Sequence, residues 1–283
     1  MPSQPILRFA PSPNGRLHLG HARSALFTDH WARVLGGTFL LRIEDTDLGR
    51  CRPEFVEAIF ENLHWLGLAW PEPVLRQSER FAVYSAAASQ LQQLGLLYPC
   101  FCTRAEIASG AEGPDPDGAP IYPGTCRHLP SAEAAGRIAR GEPIQMRLRM
   151  DHAMALAGPL TFPGAQPDPD QPPHAVPARP ERWGDVVLQR KETPTSYHLS
   201  VVVDDAAQGV THVTRGRDME AATDIHVLLQ HLLGLPTPIY TFHELILDAD
   251  GRKLAKSKGS ESLASLRAAG WSAAEVRHAA GFD

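Results

Sequence analysis

The stretch Ile6-Leu-Arg8-Phe-Ala-Pro11-Ser-Pro-Asn-Gly15-Arg-Leu-His18-Leu-Gly20-His21-Ala-Arg23 reads as a strand that turns sharply into a helix. Ile6 to Ala10 is the strand, and Pro11, Pro13 and Gly15 force the turn. From His18 to Leu35 the apolar residues Leu19, Ala22, Leu26 and Val34 recur at helical spacing. Both histidines therefore fall at a helix start. Unpaired backbone N–H groups and the positive end of the helix dipole favour an anion there, and an imidazole adds a hydrogen bond to a polyphosphate oxygen. His-x-Gly-His alone fits equally well two surface histidines beside a helix cap.

Outward from this turn, Thr38 to Ile43 reads as a second strand, with helices near 53–66 and 78–96. Strands alternating with helices imply an α/β fold, a Rossmann-like doubly wound parallel sheet whose ligand sits beyond the strand C-termini. Arg8 to Ser12 and Glu44 emerge at that edge. From Tyr98 the composition changes: cysteines appear, 110–120 is rich in turn residues, and 160–180 is dominated by proline. That region reads as an insertion outside the sheet core, its proline-rich end extended. After Trp183 the expected order is strands near 185–189 and 199–203, a helix over 219–233, a strand over 239–242, and an apolar strand at 244–247. The expected division is 1–97 as the first half of the catalytic domain, 98–182 as an inserted metal-bearing and acceptor-contacting subdomain, and 183–283 as the second half with a short helical tail.

With 283 residues there is room for one well-buried catalytic domain and an insertion. The net charge of −5 argues against a protein that coats nucleic acid by bulk electrostatics and leaves room only for local RNA contacts. No stretch is apolar enough to span a bilayer and no secretory leader is evident, so a cytoplasmic protein without membrane partners, acting as a monomer, is expected. Four cysteines do not make a disulfide scaffold. Instead Cys100-Phe-Cys102 and Tyr122-Pro-Gly-Thr-Cys126 bring three thiols close enough for one zinc, with Tyr122 or His128 as the fourth ligand on spacing alone. Cys51 lies apart and reads as a plain thiol.

Near the other end, Asp250-Gly-Arg-Lys253-Leu-Ala-Lys256-Ser257-Lys258-Gly259 sets lysines between glycines, an arrangement suited to placing positive charge over a triphosphate. Paired with the histidine turn, it resembles the HIGH and KMSKS signatures of class I aminoacyl-tRNA synthetases, with Lys-Leu-Ala-Lys-Ser in place of Lys-Met-Ser-Lys-Ser. Arg8-Phe-Ala-Pro-Ser-Pro, Leu41-Arg-Ile-Glu44-Asp45-Thr-Asp47 and Val201-Val-Val-Asp204-Asp205 through Arg215-Gly216 narrow the resemblance to the glutamyl branch. The short glutamyl-Q tRNA(Asp) synthetases are the nearest in kind, and the blocks run from Arg8 to Gly259.

That resemblance implies ATP-dependent activation of L-glutamate to glutamyl-adenylate without need of tRNA. It implies catalytic His18, His21 and Lys256; ATP contacts from His18, Gly20, His21, Lys253, Lys256 and Ser257; and Mg²⁺ accompanying ATP. Arg8, Phe9, Ala10, Pro11, Ser12, Glu44, Tyr197 and Arg215 would hold glutamate. Guanidinium groups suit its two carboxylates and an acidic group its ammonium. The family's zinc set matches Cys100, Cys102, Tyr122 and Cys126, a structural site.

Full-length glutamyl-tRNA synthetases continue into anticodon-reading domains, whereas here the sequence stops soon after Lys258. A compact chain of this size has a radius of gyration of about 19 Å and cannot reach both ends of a tRNA. It must work on whichever end it binds, which fits the glutamyl-Q enzymes, and the resemblance to them implies queuosine at the wobble position of tRNA(Asp) as the acceptor. Alternatives are a truncated synthetase charging a tRNA 3′ end, a small-molecule nucleotidyltransferase, and a catalytically silent tRNA-binding paralogue.

Overall fold

The computed structural model describes residues 4–168, 171–247 and 261–282. Lys253, Lys256 and Ser257, expected at the ATP, lie outside the described residues, so their assignment stands on sequence alone.

The chain begins with β1 (Ile6–Phe9), α1 (Leu19–Val34), β2 (Thr38–Ile43), α2 (Pro53–Trp65), β3 (Leu75–Arg76) and α3 (Phe81–Gln93). A second set follows: β4 (Leu97–Cys100), α4 (Arg104–Gly110), α5 (Ser131–Ala139), β5 (Gln145–Leu148), α6 (Met150–Ala157), β6 (Thr161–Ala165), β7 (His174–Pro177) and β8 (Val187–Gln189). The last part comprises α7 (Tyr197–Ala207), β9 (His212–Gly216), α8 (Thr223–Leu233), β10 (Ile239–His243), α9 (Leu263–Ala268) and α10 (Ala273–Ala279). The main sheet has the order β3-β2-β1-β9-β10-β6-β7. It is parallel except for the antiparallel edge strand β7. A separate antiparallel sheet, β4-β5-β8, carries the cysteine region.

Strand alternation decides which face each side chain meets. Leu7, Phe9, Phe39, Leu41 and Ile43 share one face, packed in a core with residues of α1, α2, α9 and α10. Arg8 and Arg42, of opposite parity, point to the other face and meet α7. On β9, Val213 joins Phe162, Val227 and Tyr240 in a second cluster. Arg215, two residues on, shares that face and reaches α8.

Four expectations change. Residues 199–203 are not a strand but the middle of α7, and the strand of this region is β9. Leu199, Val201, Val202 and Val203 are all buried in a cluster with α3, α6 and α8. A helix buried on every side presents a continuous apolar run, which periodicity cannot separate from a buried strand. Its tertiary burial outweighs the few tenths of a kcal/mol per residue by which β-branched residues disfavour helix. The 160–180 stretch is not outside the sheet core either: it supplies β6 and β7. Proline is tolerated because β7 is an edge strand and Pro163 precedes the Gly164–Ala165 segment that pairs with β10. Finally, 244–247 is no continuation of a strand, since β10 ends at His243. Val34, expected on the buried face of α1, is exposed, and Ala25, Phe27 and Trp31 are buried instead.

Candidate active site

The turn after β1 delivers His18 as the N-cap of α1. Its Nδ1 accepts from the Gly20 N–H at 3.1 Å, and the His21 Nδ1 accepts from the His18 N–H at 3.2 Å. The two rings thus form a reciprocal capping box, with centroids 3.9 Å apart. In the neutral imidazole only one nitrogen carries a proton, so an accepting Nδ1 assigns it to Nε2 in each ring. The sequence showed two histidines at a helix start; the structure adds that they cap the helix. A side chain at Gly20 would crowd the His18 ring, its Cβ falling 3.0 Å from Cε1.

Both described flanks of the lysine segment return to this turn. Upstream, Arg23 donates to the Glu244 carbonyl at 2.7 Å and Ser24 bonds His243 at 2.9 Å. Downstream, Ser262 bridges His18 and the Leu263 N–H donates to the Leu17 carbonyl at 2.8 Å.

Beside the turn, at the C-terminal edge of β1, β2 and β9, lies a cavity of about 200 Å³. Arg8, Phe9, Ala10, Glu44, Tyr197 and Arg215 all line it, whereas Pro11 and Ser12 do not. Pro11 acts on the backbone, its carbonyl accepting from the Glu44 N–H at 3.1 Å. Ser24, Thr214, Gly216, Asp218 and Met219 complete the lining; Thr214 and Gly216 fall within the block that ends at Arg215-Gly216, whereas no local motif marked Ser24, Asp218 or Met219. At Gly216 a Cβ would collide with Asp218 and come within 2.7 Å of Leu245, so glycine lets the backbone form the wall there. A larger hollow of about 660 Å³ is lined by residues of the 271–279 segment alone, with none of the groups expected at the reaction.

The charges are set from beneath by α7. Arg8 Nε donates to Asp205 at 2.9 Å, and Arg42 donates to the same oxygen. Asp204 collects Arg80 at 2.7 Å, Gln77 at 2.9 Å and the Tyr84 hydroxyl at 2.7 Å. Burial opposes ionisation of Asp205, yet Arg8 and Arg42 hold its carboxyl down to about 2. The Asp-Asp pair was visible in the sequence as an acidic end to an apolar run; its role as anchor of Arg8 required the helix. Glu44 is different. Burial pushes its carboxyl up to about 7, with Arg42 and Arg8 pulling the other way.

The three thiols of Cys100, Cys102 and Cys126 lie within 4.8 Å of one another. Cys102 and Cys126 are 3.5 Å apart. Tetrahedral Zn–S bonds of about 2.3 Å put sulfurs about 3.8 Å apart, so the spacing fits one ion. Tyr122 faces this group: its hydroxyl is 3.6 Å from the Cys102 Sγ and accepts from the Cys126 N–H at 2.7 Å. His128 is exposed and takes no part in the cluster. Burial acts to raise the Cys100 thiol, but hydrogen bonds from Tyr122, Gln145 and Arg147 bring it to about 7. Burial pushes Cys102 up to about 11. Cys51 stands outside the cluster.

Residues 6–277 match the family described as tRNA synthetases class I (E and Q), catalytic domain. The glutamyl-Q tRNA(Asp) synthetase of Rhodobacter capsulatus is 47% identical, over 98% of this chain and 99% of its own length. That of Symbiobacterium thermophilum is 43% identical, over 94% and 82%. Among solved structures, a glutamate tRNA ligase from Elizabethkingia meningosepticum in complex with its amino acid superposes with a TM-score of 0.72 at 30% identity. That match covers 91% of this chain and 53% of the other, about half its length. With the histidine cap, the two-arginine cavity and these likenesses in place, the chain belongs to the glutamate- and glutamine-type class I tRNA synthetases, a ligase family, on the branch of the glutamyl-Q tRNA(Asp) synthetases.

Proposed function

We propose that this protein activates L-glutamate with ATP and transfers it to the queuosine base of tRNA(Asp). The observation that carries the first half is one small cavity holding the Arg8 and Arg215 guanidinium groups together with the carboxyl groups of Glu44 and Asp218, able to meet two carboxylates and one ammonium. The second half is supported by the likeness, along nearly the whole of this chain, to two glutamyl-Q tRNA(Asp) synthetases.

In the first step the glutamate α-carboxylate attacks the α-phosphorus of ATP and pyrophosphate leaves. Positioning and electrostatics carry most of the barrier reduction. Arg8 and Arg215 hold the carboxylates, Glu44 takes the ammonium, and the His18 and His21 Nε2–H groups donate to phosphate oxygens. Lys256 meets charge developing on the leaving pyrophosphate, where Mg²⁺ accompanying ATP would supply further positive charge. In the second step a hydroxyl of the queuosine diol attacks the adenylate carbonyl, and AMP leaves. Glutamate-dependent pyrophosphate exchange without tRNA tests the first step, and its absence from folded, zinc-replete protein would refute it.

Glu44 gives this reading a pH signature. Its carboxyl sits near 7 in the free protein, so it becomes a counter-ion for ammonium only as pH rises through that value. The kcat/KM for glutamate is expected to increase between pH 6 and 8 with a midpoint near 7. Glu44→Gln should lower it and flatten the profile, whereas an unchanged profile in that variant would assign the titration elsewhere.

The cysteine cluster we assign to one structural zinc, held by Cys100, Cys102, Cys126 and Tyr122. Metal analysis should give about one zinc per chain. Cys102→Ser is expected to lose the metal and loosen the β4-β5-β8 region while ATP binding is retained. Protein purified without chelator and found free of zinc would contradict the assignment.

A further inference from the structure

The two guanidinium groups of the cavity are seated differently. Arg8 is held by a carboxylate, with Asp205 2.9 Å from its Nε. Arg215 is buried as well, yet among the described residues it makes no ion pair. Its seat is built from neutral groups: Nη1 lies 3.1 Å from the Nδ1 of His226, and the Tyr240 ring centroid lies 5.4 Å from the guanidinium carbon.

The contact with His226 has only one possible direction. A guanidinium donates and cannot accept, so the His226 Nδ1 is the acceptor and its proton resides on Nε2. That nitrogen is 3.2 Å from the Nδ1 of His198, which must then accept in turn. A chain of donors runs from Arg215 through His226 on α8 to His198 on α7. The rings are fixed by aromatic contacts. Tyr197 meets His226 edge-on at 5.4 Å, and Trp183 meets His198 at 5.6 Å. Burial first, and the Arg215 charge second, hold His226 well below 6.5 and His198 down to about 4. Both rings are neutral at physiological pH, as the hydrogen-bond directions require.

A neutral acceptor orients a cation without cancelling it. A buried guanidinium lacking a counter-ion is costly until an anion arrives, so this end of the cavity favours a carboxylate. A carboxamide of the same shape brings no charge and leaves the guanidinium uncompensated. We propose that His226, seated by His198, is a positioning residue that aims Arg215 while leaving its charge intact, and so makes the pocket select glutamate over glutamine. The proposal rests on the reading of the cavity as the glutamate site.

The test is glutamate-dependent pyrophosphate exchange by the full chain, zinc-replete, with glutamine as competing inhibitor. His226→Leu should raise the KM for glutamate by about tenfold, with a smaller change in kcat and none in the KM for ATP. His226→Gln, whose amide can accept from Arg215 and donate to His198, should restore the KM to within about threefold of wild type. His226→Asp should pair with Arg215 and lower the ratio of glutamine inhibition constant to glutamate KM by about tenfold. If His226→Leu does not fold, the Gln and Asp variants decide the matter. Wild-type exchange together with an unchanged glutamine-to-glutamate ratio in His226→Asp, or an unchanged glutamate KM in His226→Leu, would overturn this proposal alone. Absence of glutamate-dependent exchange in the wild type would overturn the parent reading and this one together.

Discussion

Arg215→Ala is expected to lower the kcat/KM for glutamate by about 100- to 4,000-fold while changing the KM for ATP little. The side chain is buried, and its only described hydrogen-bond partner is the neutral ring of His226, so its charge is committed to a ligand. Removing it leaves a substrate carboxylate in a cavity with no partner at that end. Breaking a buried charge pair from one side costs about 3–5 kcal/mol, and each 1.4 kcal/mol is about a factor of ten. The ATP side is built separately, on the histidine cap of α1, so the loss should be confined to the amino acid. Exchange kinetics and calorimetry with glutamate beside a non-hydrolysable ATP analogue measure it. Unchanged glutamate affinity would remove Arg215 from the site.

Asp205→Asn is the second large effect, and it should appear in stability as well as activity. Asp205 accepts from Arg8 and Arg42, and Arg42 has no exposed surface. The nearest other carboxylate to Arg42 is Asp204 at 4.0 Å, already engaged by Arg80, Gln77 and Tyr84. Replacing the carboxylate by an amide leaves two buried guanidinium groups sharing no anion, at a cost of about 3–5 kcal/mol. For a chain of this size the melting temperature should fall by on the order of 10 °C. The pH dependence has a definite sign. The native carboxyl sits near 2, below its ordinary 3.8, so its contribution is complete above 3.8 and is lost as pH falls towards 2. The variant should lack that component of acid sensitivity. An acid-melting curve identical to wild type would show that Asp205 does not anchor Arg8 and Arg42.

The parts of this protein that sequence reveals are those with local physics. Pro11, Pro13 and Gly15 mark the turn into α1, and β2 runs from Thr38 to Ile43 as its apolar pattern predicts. The three thiols converge as their spacing suggests. What sequence conceals is settled by tertiary contacts. Val201 to Val203 have strand-like chemistry, but burial on all sides makes them helix, and that helix places Asp204 and Asp205 under the arginines. The prolines of 160–180 suggest a loop, yet the stretch supplies β6 and the edge strand β7, with Pro177 at the sheet edge. His226 carries no local mark, because its role depends on β9 and α8 meeting across the sheet. Tyr122 rather than His128 turning to the thiols is likewise a matter of loop geometry that spacing left open.

The acceptor is decided by where the glutamyl label lands. Radiolabelled glutamate, ATP and the protein should be incubated with tRNA(Asp) carrying queuosine, with the same tRNA lacking it, and with tRNA(Glu), and the label then mapped by nuclease digestion. Label is expected in the anticodon loop of queuosine-containing tRNA(Asp) and in neither of the other two. Label on the 3′-terminal adenosine of tRNA(Glu), with none on queuosine, would contradict it.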